Sequence, residues 1–499
     1  MPDHLLHPGL AGLLFIAHLL TVARALTRRN RTPASRAAWV AVIMLAPLLG
    51  VVGYWLLGET SIGRGRVRRI DTTQKALPRA AAMPGGADSP LPAVAAWAHE
   101  SAQAVFALAH SINGFAALPG NRISLLGDAE GDPRQPQRDC LAAIDTLLVD
   151  IANARDSVHI AVYIWLDDAL GARLVDAVAA AARRGVACRV MVDALGSRAF
   201  SHGPHWQRMS EAGVKLLRTL DDINRLRHLA FSRLDLRDHR KLVVIDNRIG
   251  YCGSQNFAAP AFEIKPKFAP WIDLLFRCEG PLVRQMQYLF LSGWIPETDE
   301  PGLERLPVAE PLPRCDGGSI AQVFETGPTS RHNAMSDMFV AAINAACREL
   351  LITTPYFVPD EALLRALCAA PRRGVRTRIV FPARNDSWLV GQACRSTWAE
   401  LLECGVEVFE YPLGLLHAKS LTCDDSLALV GSANMDRRSL ELNFENNLLI
   451  ADANVVAALR ARQLGYLSVC RAVDADEVRA WPFHQRLIQN AVAMASPVL

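Results

Sequence analysis

The stretch "HRKLVVIDNRIGYCGSQN", from His239 to Asn256, returns later in the same chain as "HAKSLTCDDSLALVGSAN", from His417 to Asn434. In both, His-x-Lys is followed after four residues by an aspartate, Asp246 or Asp424, and after six more by Gly-Ser-x-Asn. A lone H-x-K carries little information, but six fixed positions at identical spacing mark two copies of one unit. The flanks repeat as well. "ARRGVACRVMVD" (Ala182 to Asp193) matches "PRRGVRTRIVFP" (Pro371 to Pro382), and "EAGVKLL" matches "ECGVEVF".

Each copy alternates strands with helices. "SVHIAVYIW" and "ELLITTPYF" read as buried parallel strands, and "ALGARLVDAVAAAARRG" and "DEALLRALCAAPRRG" as covering helices that end at Gly185 and Gly374. The alternation predicts α/β modules built on a mostly parallel sheet covered on both faces.

On a strand, residues i and i+2 share a face, so His239 projects with Lys241, and His417 with Lys419. Gly253 and Gly431 predict tight turns that return Ser254, Asn256, Ser432 and Asn434 to those faces. Two such faces brought together make a pocket suited to phosphate. Lysines and Asn amides stabilise the non-bridging oxygens of a pentacoordinate transition state without a metal. Paired histidines divide the attack on phosphorus from protonation of the leaving oxygen. Asp246 and Asp424 complete the motif and are counted among its catalytic residues with His239, Lys241, His417 and Lys419, although their distance along the strands from the histidines favours a turn-fixing role over chemistry. A nucleophilic imidazole also needs a carboxylate on its second nitrogen. The expected partners lie within the same half: Asp273 in "WIDLLF" for His239 and Glu445 in "LNFENN" for His417.

Composition narrows the class. A net charge of +3 over 499 residues gives no support to nonspecific nucleic-acid binding. The eleven cysteines are scattered without C-x-x-C or zinc-like spacing, so neither a disulfide framework nor a structural metal is indicated. Only six of the 53 basic residues are lysines, and two of those occupy the motif, which points to a site that wants a compact ammonium.

The N-terminus differs in kind. Leu5 to Ala23 and Ala37 to Gly58 are apolar enough, and each long enough to cover ~30 Å of hydrocarbon, to predict a two-helix membrane hairpin rather than a cleaved signal peptide. Arginines follow both stretches, so orientation stays open. The implied divisions are a hairpin at 1–60, a juxtamembrane segment at 61–115, modules at 116–300 and 319–499, and a Pro/Gly-rich linker at 301–318. A connector at Ala80 to Ala93 and an Ala-rich helix from Ala95 to His110 fill the juxtamembrane segment.

The doubled H-x-K-x4-D-x6-G-S-x-N resembles the phospholipase D superfamily. "LDLRDHRK", "WIDLLFRCEGP", "TTPYFVPDEALL", "NMDRRSLELNFE" and the apolar N-terminus make it similar to the bacterial cardiolipin synthases. The resemblance implies two pseudo-twofold-related α/β domains sharing one active site and a multi-pass location in the bacterial inner membrane. It implies no cofactor, and partners limited to phosphatidylglycerol and other membrane lipids. It also implies condensation of two phosphatidylglycerols to cardiolipin and glycerol through a phosphohistidine, with the N-terminal histidine, His239, attacking and His417 as the acid. The alternative is a phosphodiesterase using water or another alcohol as acceptor. Acceptor and oligomeric state stay open.

Overall fold

The computed structural model describes residues 8–29, 31, 33–59, 62–77, 100–127, 132, 134–221, 235–298, 300–303 and 314–494. The connector at 80–93, the start of the helix expected from Ala95 and the centre of the 301–318 linker lie outside the described residues. From Glu100 to Asn113 that helix is present.

Near the N-terminus lie α1 (Pro8–Thr27), α2 (Pro33–Leu45) and α3 (Pro47–Leu57), in a compact unit of their own. The stretch expected as one second span is divided at Ala46. Pro47, which lacks an N–H and suits the first turn of a helix, starts a new one there. α3 folds back on α2 so closely that a Cβ on Gly50 would meet the Val42 carbonyl oxygen at 2.5 Å. Among the described residues no helix is long and apolar enough to cross a membrane, so the two-span hairpin is not found there. The cluster is instead pinned by Ile43, Tyr54 and Ala25, and by Glu59 between Arg24 and Arg28.

The first motif copy belongs to β1 (Leu118–Leu125), β2 (Ser157–Val162), β3 (Ala187–Asp193), β4 (Lys215–Thr219), β5 (Lys241–Ile245), β6 (Ile249–Gly253), β7 (Trp271–Ile272) and β8 (Leu275–Glu279). The second belongs to β9 (Ser319–Thr326), β10 (Glu349–Thr353), β11 (Arg376–Pro382), β12 (Glu407–Tyr411), β13 (Leu415–Leu416), β14 (Ser420–Cys423), β15 (Leu427–Gly431), β16 (Glu445–Ala451) and β17 (Arg471–Ala472). Fifteen strands make one sheet, in the order β17-β12-β11-β10-β14-β15-β16-β9-β1-β8-β6-β5-β2-β3-β4. The order reads alike outward from the antiparallel β9–β1 junction, apart from the extra edge strand β17.

The covering helices form as their sequences require. Asp168 and Asp360 cap Ala169–Arg183 and Glu361–Arg372 by accepting from Gly171 N and Leu363 N, and Gly185 and Gly374 follow with φ of +94° and +86°. The sheet itself departs from the expectation. Within the fifteen strands only β2–β3–β4 and β10–β11–β12 run parallel, and every other neighbouring pair of that sheet is antiparallel. The reason lies in the motif, whose apolar run turns back immediately as a hairpin, β5–β6 or β14–β15.

Asp246 and Asp424 make those turns. Both have φ near +50°, in the left-handed region that Asp tolerates better than bulky residues. Asp246 accepts backbone N–H bonds from Arg155, Asp156 and Ser157 at 2.9, 2.7 and 2.9 Å. Asp424 does the same for Cys347, Arg348 and Glu349 at 3.0, 2.7 and 2.8 Å. Each carboxylate thus fastens the motif hairpin to the start of a neighbouring parallel strand. Their inclusion among the catalytic residues is corrected to a structural role. Asp424→Ala should lower stability by about 2 kcal/mol, as charge-assisted bonds of this kind contribute. Thermal melts in detergent should register the loss, with turnover per folded molecule unchanged.

Candidate active site

The residues after each His-x-Lys are sheet interior: Leu242, Val243, Val244 and Ile245 in the first copy and Ser420, Leu421, Thr422 and Cys423 in the second are all buried. That anchorage fixes the strand ends, where the histidines sit. The segment leading into each histidine then pairs with the opposite half. His239 N donates to Phe444 O at 2.9 Å, and His417 N donates to Ile272 O at 2.7 Å. Strands β7 and β13 run parallel beside the second contact, and Asp238 bridges to Phe444 beside the first.

Because Phe444 and Ile272 immediately precede Glu445 and Asp273, each histidine meets the carboxylate of the other half. His239 Nδ1 lies 2.8 Å from Glu445 Oε2, and His417 Nδ1 lies 2.7 Å from Asp273 Oδ1. The expected pairing within each half is therefore reversed. Sequence proximity misled because the carboxylates end the connection that crosses between the halves.

The serines also differ from expectation. Ser254 Oγ donates to Asp273 Oδ1 at 2.6 Å and Ser432 Oγ to Glu445 Oε2 at 2.5 Å. Both hydroxyls are buried and in turn accept from Leu274 N and Asn446 N. They hold the carboxylates rather than a phosphate. Nor do Gly253 and Gly431 serve as turns. A Cβ there would meet Leu274 O at 2.2 Å or Asn447 Oδ1 at 2.4 Å, so glycine permits the carboxylate strand to approach. The asparagines keep their expected availability. Asn256 Nδ2 and Asn434 Oδ1 are buried without a protein partner, and rotating the Asn434 amide presents its NH2 in place of the oxygen.

Lys241 Nζ donates to His239 O at 2.7 Å and lies 5.2 Å from the Tyr163 ring centroid. Lys419 Nζ donates to His417 O at 2.6 Å and contacts His417 Nε2 at 2.8 Å. Each lysine's charge is felt by the histidine of the other copy, which places all four groups in one site. Tyr163 stands edge-on to His239 at 4.7 Å, and Trp271 edge-on to His417 at 4.9 Å.

Burial dominates the titrations. It pushes both imidazoles down to about 4 against the opposing pull of Glu445 and Asp273, so both rings are neutral at pH 7. With Nδ1–H directed at a carboxylate, each Nε2 carries the lone pair. Burial alone would raise the two carboxyls. The facing histidines, the lysines and the serines more than offset it, and both lie below their usual values. Burial also lowers Lys241 to about 8 and Lys419 to about 7.

Several contributors were not read from the sequence. Ser439 Oγ and Asn443 Nδ2 donate to Glu445 Oε1 at 2.7 and 3.2 Å. Asn446 clamps the Lys241 backbone, accepting from its N–H at 2.7 Å and donating to its carbonyl at 3.2 Å. Arg240, the intervening residue of the first His-x-Lys, is buried between Asp238 and Glu325. "NMDRRSLELNFE" contained two of these residues, Ser439 and Asn443, but Ser and Asn near a carboxylate have no spacing rule of their own. His159 is a core residue stacked on Phe290 and bonded to Gln287. His202 and His205 make local contacts with Arg198 O and Asp167.

A buried, twofold set of histidine, lysine and carboxylate on this sheet defines a phospholipase D-type phosphodiester site. A family model described as "Cardiolipin synthase, PLD-like domain" matches residues 147–268 and 339–463, and one described as "Phospholipase_D-nuclease N-terminal" matches 13–59. Cardiolipin synthase A of Edwardsiella ictaluri is 35% identical over 95% of both chains, and that of Proteus mirabilis 36% over 98% of this chain and 99% of the other. The chain belongs to the phospholipase D-type cardiolipin synthase family, with two phospholipase D-like domains. The phosphatidylserine synthase of Haemophilus influenzae shares the fold at a TM-score of 0.57 and 14% identity, covering 80% of this chain and 100% of its own.

The lysine values carry a pH prediction. Folded Lys419 and Lys241 release protons near 7 and 8, whereas an unfolded lysine holds its proton to about 10.5. The unfolded chain binds more protons within that window, so the two lysines make stability rise as pH climbs through it. Binding of an anion runs the other way. For phosphatidylglycerol, whose diester charge is constant over this range, kcat/KM should fall as pH rises from 7 to 8. A pH–rate profile flat to pH 9 would place the lysine charges outside the substrate-binding step.

Proposed function

We propose that the chain condenses two phosphatidylglycerol molecules into cardiolipin and glycerol by two in-line displacements at one site. The observation that carries this reading is the crossed pair of histidines, each with Nδ1 tied to a carboxylate and Nε2 left for chemistry, in a chain of this family. His239 Nε2 attacks phosphorus. A phosphorus–nitrogen bond forms as the bond to glycerol oxygen breaks, leaving a phosphatidyl-histidine. Glu445 holds the nucleophile's tautomer and balances the charge that develops on its ring. Lys241, Lys419 and the free amides of Asn256 and Asn434 stabilise the non-bridging oxygens.

His417 protonates the departing glycerol. Its resting Nε2 is unprotonated and accepts from Lys419 Nζ at 2.8 Å, so the ammonium is the adjacent proton source as the anionic diester binds. Having given up that proton, His417 is the base that takes the hydroxyl proton of the second phosphatidylglycerol, whose oxygen displaces His239, and passing it back to Lys419 restores the starting state. No step calls for a metal or cofactor.

The proposed location is the bacterial membrane. Leu13, Phe15, Leu20, Leu45, Leu48 and Leu49 are exposed on α1 to α3. At 13 and 11 residues, α2 and α3 are each shorter than the ~30 Å hydrocarbon layer at ~1.5 Å per residue. The proposed arrangement is an embedded helical cluster, with α2 and α3 entering and leaving on one side.

Purified chain given phosphatidylglycerol alone should release glycerol and cardiolipin in equal amounts, resolved by lipid mass spectrometry. Phosphatidic acid as the main product would favour water as acceptor. Quenching during turnover of radiolabelled phosphatidylglycerol, under conditions that preserve a phosphoramidate, should leave label on the His239 peptide. Glu445→Gln should abolish that label. Label on the His417 peptide alone would reverse the two roles.

A further inference from the structure

The two halves part company in one connection. Eleven residues lead from Asn434 to Glu445, but seventeen lead from Asn256 to Asp273. The longer connection is a surface loop, and the crossed pairing places it on the His417 side of the site. Its inner residue, Phe262, is buried against Trp271 at 4.4 Å between ring centroids, and Trp271 is the ring edge-on to His417. The next residues run outward: Ile264 is 59% exposed, and Lys265 and Lys267 follow, one on each side of Pro266.

A second loop meets it there. Lys265 Nζ donates to Asp386 Oδ2 at 2.7 Å, and Tyr356, 6.0 Å from the His417 ring, donates its hydroxyl to Asp386 Oδ1 at 2.7 Å. Trp388 and Leu389, immediately beyond Asp386, are 61% and 45% exposed. Among the described residues outside α1 to α3, Trp388 is the one tryptophan held out in this way. A single exposed apolar side chain needs no explanation. Here Ile264 stands on one loop and Trp388 and Leu389 open the helix Trp388–Arg395 that follows the other, the two segments being joined by the Lys265–Asp386 ion pair and linked to His417 through Trp271 and Tyr356. Lys265, Lys267 and the exposed Arg384 outnumber Glu263 and Asp386 around them.

We propose that this rim is a bilayer-docking surface: Ile264, Trp388 and Leu389 enter the headgroup and upper acyl region, while Lys265, Lys267 and Arg384 face anionic phospholipid. It rests on the lipid-substrate reading above. A diacyl phosphodiester reaches a buried histidine only if the opening lies against the membrane, since full extraction of two acyl chains forfeits ~0.8 kcal/mol per CH2. Tryptophan, with an apolar body and one N–H donor, suits that depth. The loop is thus what the first half adds to a duplicated scaffold: an entry rim on one side of a nearly symmetric site.

The test uses the full chain carrying Ile264→Glu, Trp388→Glu and Leu389→Glu together. On vesicles of phosphatidylglycerol diluted in phosphatidylcholine, the half-saturating surface fraction of phosphatidylglycerol should rise about tenfold. On monomeric dihexanoyl-phosphatidylglycerol, turnover should stay within about twofold of wild type, because none of the three touches the catalytic groups. Equal loss on both substrates, or no loss on vesicles, overturns the proposal. An independent arm reads Trp388 itself. Brominated lipids should quench a component of the tryptophan emission that Trp388→Phe removes, and its absence also overturns docking, as does loss of a dimer in the triple variant without change at the vesicle surface. If wild type turned over neither phosphatidylglycerol yet Trp388 were quenched, docking would stand and the substrate reading would fall.

Discussion

Everything in the catalytic unit is arranged around one interaction made twice, the bond from a histidine Nδ1–H to a carboxylate of the other half. Neither half holds a complete pair, so neither has a working imidazole by itself. The constraint reaches outward through the backbone. Each histidine N–H must bond to the residue before the opposing carboxylate, which sets the register of the crossing segments. The carboxylate strands must then press on the ends of β6 and β15, where Gly253 and Gly431 leave no Cβ in the way. Removing one partner would leave a buried charge with too few donors, a change that typically destabilises by about 3–5 kcal/mol. The continuous sheet through β1 and β9 is the frame that keeps both bonds in place at once.

Burial gives the site its reactivity and its main liability. Two lysines and two carboxylates lie where water cannot solvate them, and the lysines lose protons near neutral pH as a result. A phosphodiester bound there places negative charge beside both lysines and favours their protonated forms. The same low dielectric that depresses the lysines strengthens their pull on developing negative charge, and no reorganisation of solvent is needed at that moment. A planar guanidinium would neither release its charge so easily nor fit where Lys419 touches both the carbonyl and the ring of His417.

Much of this was legible in the sequence, because duplication turns a weak motif into a strong one. The matched H-x-K-x4-D-x6-G-S-x-N located the histidines and lysines, and the i, i+2 rule placed each pair on one face. The distance of Asp246 and Asp424 from the histidines along the strand indicated their turn-fixing role. Three features were hidden for physical reasons. Which carboxylate serves which histidine depends on a contact between segments roughly two hundred residues apart, as the Glu445–His239 bond shows. Ser254 and Ser432 have the chemistry of phosphate ligands, and only their distance to Asp273 and Glu445 reveals the actual partner. The mostly parallel sheet failed because strand periodicity is the same in either direction, and the deciding signal was the two-residue turn at Asp246 and Asn247.

The symmetry is also incomplete in a way that bears on chemistry. Glu445 is held by His239, Ser432, Ser439 and Asn443, so much of its charge is already engaged by neutral donors. The Asp273 side chain receives His417 and Ser254 on the same oxygen. A carboxylate with fewer competing donors stabilises a neighbouring imidazolium more strongly, and one saturated by donors serves chiefly to fix a tautomer. The histidine that must be neutral until it attacks, with its lone pair on Nε2, is then best placed against Glu445, and the one that must take up and release a free proton against Asp273. This is the division in which His239 attacks and His417 shuttles the proton. The count of donors on each carboxylate supports that proposed division independently of the order of the two copies in the chain.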